Sequence, residues 1–328
     1  MNPISHPIGR ITGATSIELG DVLQSLWSGY GVIQRATLVG AEPRHVIVKH
    51  IDLSQTRANR RGWGGDVSHE RKVRSYQVES NFYQSHANQC DSSCRVPILI
   101  GLEAMPNESG WLIVLEDLDD QGFAQRKSKV DQADILACLR WLANFHATFL
   151  QSTAAGLWPI GTYWHLATRP DELAAMPEGT LKRSAKLIDT KLNAACFQTL
   201  VHGDAKLANF CFSEQVGADV AAVDFQYVGR GCGMKDVAYF ISSCLNEQQA
   251  AMQQESLLGY YFQHLSKAIS SRRINVDFAA LEQEWRALYP LAWADFCRFL
   301  SGWSPGHWKL NRYSDQITRS ALDQLGAC

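Results

Sequence analysis

The chain has 328 residues, and 31 Lys plus Arg nearly balance 33 Asp plus Glu. That balance gives no global case for nucleic acid or a membrane surface as partner. No uninterrupted apolar run approaches the roughly 20 residues that a membrane helix needs. The N-terminus lacks the apolar core of a signal peptide. Of nine scattered cysteines, Cys90 and Cys94 are the one close pair, and no second pair completes a zinc site. The expectation is a cytoplasmic protein with reduced thiols. Length predicts roughly two domains.

In chain order, the text after Thr15-Ser16 is helix-compatible, with those residues as a cap before Ile17-Glu18-Leu19. Gly29 and Gly31 then stand between strand-like segments. They could let backbone amides approach phosphates, or form a plain hairpin turn. His45-Val46-Ile47-Val48-Lys49 reads as a strand ending in a lysine. Residues 54–72 gather Arg57, Arg60, Arg61, Arg71 and Lys72 around Gly62-Trp63-Gly64-Gly65, which reads as a surface loop or as a lid over an anionic group. A helix is expected from about Ser68 to His86, with Val73, Tyr76, Ser80 and Tyr83 on one stripe and Glu79 among them.

Trp111–Leu115 is an apolar strand that exits into Glu116-Asp117-Leu118. Residues 131–150 form an amphipathic helix, with Ile135, Leu139, Leu142, Phe145 and Phe149 on one face and His146 as a packed histidine. Trp158, Tyr163 and Trp164 cover the second lobe or line a pocket, with cover preferred.

The stretch from Thr199 onward carries the chemistry. Short strands near 199–201, 210–212 and 219–223 flank His202-Gly203-Asp204, Lys206 and Asn209, and Asp224-Phe225-Gln226 follows fifteen residues after Asn209. Protein kinases carry H-R-D-x-x-x-x-N and then D-F-G, where the first Asp takes the acceptor proton and the Asn and last Asp hold magnesium. Here Gly203 replaces the Arg and Gln226 the Gly. A lone HGD would be only a turn after a strand; the ordered set is far more specific. After it, Gly229–Gly233 make a loop, and Asp236 starts a helix where it can brace the preceding loop. Helices are expected near 247–269, 277–300 and 313–325. Between the last two, Trp303 and Trp308 on a Gly/Pro loop read as an acceptor wall or as core-edge packing; an aromatic cage there could hold a quaternary ammonium.

The HGD form resembles the kinase-like small-molecule phosphotransferases of the aminoglycoside phosphotransferase and choline kinase group. R-K-x-x-S-Y-x-V-E-x-x-F-Y at 71–83, L-E-D-L at 115–118 and V-D-F-Q-Y-V-G-x-G-C-G-M-K-D-V-A at 223–238 are similar to the ecdysteroid-kinase-like branch. The resemblance covers about residues 25–245. It implies an α+β, two-lobed fold. An N-terminal nucleotide-binding lobe with an antiparallel sheet spans about 1–115, and a larger, mainly helical catalytic and acceptor lobe spans 116–328, with ATP in the cleft between them.

The resemblance also implies roles. Lys49 would hold the α- and β-phosphates of ATP, with Glu79 (preferred over Glu70) steadying it and Gly29 and Gly31 near the phosphates. Glu116 and Leu118 would read adenine through their backbone. Asn209 and Asp224 would bind magnesium (Mg2+), which prefers hard oxygen ligands. Asp204 would orient a small-molecule hydroxyl and take its proton, and Lys206 would offset charge on the transferring group. The alternatives are a nucleotide-binding pseudokinase that acts as an interaction module, and a protein kinase. The absence of an A-P-E and of a long activation segment disfavours the latter.

Overall fold

The computed structural model describes residues 4–26, 29–54, 66–105, 109–214 and 219–326. The chain divides into two compact units, one of residues 1–88 with 96–125 and one of 89–95 with 126–328.

The first unit is a five-stranded antiparallel sheet with a helix on each face. Helix α1 (Ser5–Thr12) precedes strands β1 (Ser16–Ser25), β2 (Gly31–Val39) and β3 (His45–Asp52). Helix α2 (Asp66–Ser85) follows, then β4 (Leu99–Ala104) and β5 (Gly110–Glu116), in sheet order β1-β2-β3-β5-β4. Alternation along the strands assigns the two faces. Val46, Val48, Leu112 and Val114 pack with Ile4 and Ile8 of α1 in one buried cluster. On the opposite pleat, Trp111 donates from Nε1 to Ser80 Oγ of α2 at 2.9 Å, and Lys49 reaches Glu79 of the same helix.

The helix expected after Thr15-Ser16 is instead β1, paired from Ser16↔Val39 through Leu19↔Ala36. The Ile17-Glu18-Leu19 alternation has period two. It turns Ile17 and Leu19 onto the α1 cluster, and that packing overrides the cap-like Thr-Ser. The helix of this region lies upstream, where Gly13 ends it in the left-handed conformation, φ 73°. Residues 66–72 of the basic stretch are the first turns of α2, and Lys72 Nζ sits 4.6 Å from the Tyr76 ring centroid. Trp63, Arg57, Arg60 and Arg61 lie outside the described residues.

The second unit is mainly helical: α3 (Gln132–Thr148), α4 (Pro170–Ala175), α5 (Thr180–Asn193), α6 (Met234–Cys244), α7 (Glu247–Ser271), α8 (Phe278–Trp303) and α9 (Arg312–Gln324). Capping boxes start α3 at Asp131, α7 at Asn246 and α9 at Asn311. Trp141 and Phe145 of α3 stack at 4.9 Å, and Trp141 meets Phe210 edge-on at 5.7 Å. Two small antiparallel ribbons sit on this bundle. Strand β6 (Thr199–Val201) pairs with β9 (Gly229–Gly231), and β7 (Phe210–Phe212) pairs with β8 (Val220–Ala222). The segment from His202 to Asn209 joins the two ribbons. Among the described residues no helix is long and apolar enough to cross a membrane.

Candidate active site

In the second unit, the loop after β6 owes its shape to Gly203 and Asp236. Gly203 has φ 78°, and a Cβ there would lie 2.1 Å from the Tyr227 carbonyl oxygen and 2.9 Å from the Thr162 nitrogen. That close approach explains why glycine stands where protein kinases have arginine. Asp236, fully buried in the first turn of α6, accepts the His202 N–H at 2.5 Å and the Gly203 N–H at 2.9 Å. His146 Nε2 donates to the same carboxylate at 3.1 Å, and the Tyr261 hydroxyl donates to His146 Nδ1 at 2.7 Å. His146 is thus a packed structural residue and Asp236 a brace.

The ring of His202 ties the loop to the next strand. Its Nδ1 accepts the Asp204 N–H at 3.2 Å, and its Nε2 lies 3.0 Å from the Val223 carbonyl. The Nε2–H tautomer satisfies both partners. Phe225, fully buried, packs on the same ring at 4.6 Å. The Val223 N–H donates to the Asn209 carbonyl at 3.0 Å, so Asn209 and Asp224 come side by side from separate loops.

Asp204 is 5% exposed and has a full set of donors. Lys206 Nζ at 2.9 Å and Asn209 Nδ2 at 3.1 Å reach Oδ2, and the Tyr239 hydroxyl donates to Oδ1 at 3.2 Å. Burial raises its pKa above the ordinary carboxylate range; Lys206 opposes that and the nearby Asp224 charge adds to it. Burial works against the Lys206 ammonium, but the charge of Asp204 and the hydrogen bond to it prevail, and its pKa lies above the usual lysine value.

Asn209 spends its amide N–H groups on Asp204, one at the backbone oxygen at 2.8 Å. Its Oδ1 is left facing no described donor. Asp224 holds a left-handed backbone, φ 70°, uncommon outside glycine, and Gln226 Nε2 donates to its Oδ1 at 2.5 Å. The departure at Gln226 therefore steadies the carboxylate two residues before it. An amide carbonyl beside a carboxylate is an oxygen-only donor set that fits magnesium, which keeps waters and phosphate oxygens as its remaining ligands. Among the described residues no group of three or more His, Cys, Asp or Glu side chains could hold a metal.

In the first unit, Lys49 is 3% exposed and its Nζ donates to Glu79 Oε2 at 2.6 Å. Glu70, the rival, is exposed. Gly29 and Gly31 flank the turn before β2 with φ of 76° and 129°, and a Cβ on Gly31 would meet the His50 carbonyl oxygen at 1.9 Å. At the exit of β5, the Glu116 N–H is used by the Ile98 carbonyl at 2.9 Å. The Leu118 carbonyl accepts from Gln121 and Phe123 at 3.1 and 2.9 Å. The Leu118 N–H keeps no described partner. Arg35 of β2 pairs with Asp117 and Asp119 and pins this exit to the sheet; the hydrogen bond to Asp117 outweighs burial and raises the guanidinium pKa.

Sequence reasoning does not find Tyr239 and Lys309 as neighbours of Asp204. Lys309 is buried, and its Nζ lies 4.6 Å from the Tyr239 centroid, 5.2 Å from Phe296 and 5.7 Å from Trp308. Trp164 is core, fully buried with Tyr239, Phe296, Phe299 and Leu300. Trp303 is 56% exposed and stacks on Phe299 at 5.6 Å, and Trp308 is 58% exposed.

An antiparallel five-stranded unit with a buried Lys–Glu pair, followed by a helical unit with an Asp-Asn-Asp loop set, defines the kinase-like fold of the small-molecule phosphotransferases. A protein of Ralstonia eutropha JMP134 assigned by name to the aminoglycoside phosphotransferases superposes with TM-score 0.50 at 12% identity, over 99% of this chain and 95% of that one. Choline kinase LicA of Streptococcus pneumoniae superposes with TM-score 0.47 at 13% identity, over 98% of this chain and 97% of that one. An aminoglycoside phosphotransferase of Streptomyces rimosus gives TM-score 0.45 at 13% identity, over 88% and 95%. In sequence, residues 162–273 match the Ecdysteroid kinase-like family. No curated protein matches the chain.

Proposed function

We propose that this chain transfers the γ-phosphoryl group of Mg-ATP to a hydroxyl of a small-molecule acceptor. The observation that carries the reading is the buried loop set of the second unit. Asp204 is fixed by three side-chain donors, and Asn209 is joined by a backbone bond to the residue before Asp224. A buried carboxylate shifted by burial and by a second carboxylate, with specific charged and polar partners, marks a candidate functional site.

In this reading the acceptor O–H meets Asp204, which orients it and receives its proton as the new oxygen–phosphorus bond forms. The bond from the γ-phosphorus to the β,γ-bridging oxygen breaks, and its electron pair leaves with ADP. Lys206, already on Asp204 Oδ2, offsets charge on the group in transit. Asn209 Oδ1 and the Asp224 carboxylate would hold a magnesium ion, which would neutralise phosphate charge. Lys49, kept straight by Glu79, holds the α- and β-phosphates. The Leu118 N–H is a donor for adenine, and Gly29 and Gly31 give the phosphates room. Most of the acceleration comes from positioning and from fixed charges rather than covalent chemistry.

ADP release from Mg-ATP tests the reading on a panel of aminoglycosides, amino alcohols, sugars, hydroxy acids and sterol-like alcohols. Mass spectrometry of the products should find one acceptor heavier by a phosphoryl group. Nucleotide binding without ADP release on any alcohol would favour an interaction module instead.

A further inference from the structure

The loop between α8 and α9 sends Lys309 into a box of three rings, Tyr239, Phe296 and Trp308. Such a box suits a quaternary ammonium, but here the chain's own ammonium fills it. The same Tyr239 ring carries the hydroxyl that donates to Asp204 Oδ1. One aromatic side chain therefore touches both the proposed base and the caged cation. Among the described residues no carboxylate forms an ion pair with Lys309, and no hydrogen-bond acceptor meets its Nζ. A mostly buried ammonium packed against rings, with no ion pair and no hydrogen bond, lacks the contacting counter-charge that such groups ordinarily have. Burial lowers its pKa to about 8, with the Asp204 charge opposing and the Lys206 charge assisting that shift.

We infer that the acceptor is an anionic alcohol: its hydroxyl meets Asp204 while an oxyacid group on the same molecule pairs with Lys309. This rests on the phosphotransfer reading, because Asp204 is the point that the hydroxyl must reach. Three features carry it. The cage that would select a cation is already occupied by one. Lys206 and Lys309 both feel the Asp204 charge, and of these only Lys309 lacks an anionic partner. Rings at the end of α8 and in the following loop continue the wall: Trp303 stacks on Phe299, and His307 stacks on Trp308 at 5.8 Å. They offer an apolar face to the skeleton between hydroxyl and anion.

The test is ADP release by the wild-type chain on matched trios that differ in one group. The first is 4-(hydroxymethyl)benzoate, its primary amide and 4-(hydroxymethyl)benzylamine. Aliphatic, sugar and sterol-like trios of the same design follow, with choline added. In whichever trio turns over, the carboxylate member should lead in kcat/KM by about 10- to 100-fold, mainly through KM, the scale of a hydrogen bond to a charged group. Lys309→Met should erase that lead and Lys309→Arg should keep most of it, in variants whose Tm stays close to the parent's. Equal or better turnover of the amide, the amine or choline overturns the inference and leaves the phosphotransfer reading standing. An undiminished carboxylate preference in Lys309→Met does the same. Silence in every trio counts against phosphotransfer itself, and the inference falls with it.

Discussion

Asp204 and Lys309 are both displaced from their ordinary protonation behaviour, in directions that give opposite limbs to a pH profile. Burial raises the pKa of the Asp204 carboxyl. As a base it must be ionised, so activity is lost as pH falls through the raised value. The acid limb of kcat/KM should therefore lie above the region near 4 where an ordinary aspartate titrates. Lys309 must be protonated to attract an anion, and its pKa lies at about 8. For an anionic acceptor, kcat/KM should fall as pH rises through that value, while the matched neutral alcohol shows no such limb. The other titratable groups that face Lys309 do not confuse this reading. Cys244 is pushed up to about 12 by burial, burial also pushes Tyr239 well above its ordinary value, Lys206 lies above its usual value, and Asp204 and His307, which burial lowers, change charge on the acid side. A basic limb shared by both alcohols would remove Lys309 from the account.

At the scale of elements, the buried Lys49–Glu79 pair joins β3 to α2. Removing one partner strands a buried charge, so Lys49→Met should lower stability by about 3–5 kcal/mol. Lys49→Met with Glu79→Met should recover most of that loss in chemical denaturation, since paired apolar replacements leave no charge unmatched. The double variant should still fail to respond to nucleotide. Full recovery of the nucleotide response would make the pair purely structural. These two elements were legible in the sequence. The His45–Lys49 alternation and the Tyr76, Ser80, Tyr83 stripe each bury one face, and Glu79 sits on that stripe. β1 was not legible, because a Thr-Ser cap signal is local and the strand exists through its partner β2 and the α1 cluster. That Asp204, Asn209 and Asp224 belong to one cluster was readable because their residue types and spacing match an ordered motif. Tyr239 and Lys309 were not. Each reaches the Asp204 neighbourhood only through helix packing, from 35 and 105 positions downstream. A lysine in a Gly/Pro-flanked loop reads as solvated until the rings of α6 and α8 close around it.

For the whole molecule, nucleotide should be bound by the folded chain and not by the unfolded one. Mg-ATP at about 100 times its dissociation constant should then add about 2.7 kcal/mol of stability. For a chain of this length that is a shift of a few degrees in Tm. The shift should weaken in Asn209→Ala with Asp224→Ala when magnesium is present, and persist in Lys309→Met. Most helices of the second unit were legible, but α4 and α5 were not. Expected helices near 247–269, 277–300 and 313–325 correspond to α7, α8 and α9, because long amphipathic patterns with capping residues are the strongest local signal. What sequence left open was the use of the loop between α8 and α9, since an aromatic wall and a core edge have the same composition.

The central claim is that Asp204 acts on the acceptor hydroxyl and not on the nucleotide. Steady-state turnover and ATP affinity, measured side by side for the parent chain and Asp204→Asn on one acceptor, address it most directly. The account predicts a loss of roughly 10²–10⁴-fold in kcat, the scale of a general base, with ATP affinity unchanged. A variant that turns over normally, or that loses nucleotide affinity in step with rate, would contradict it.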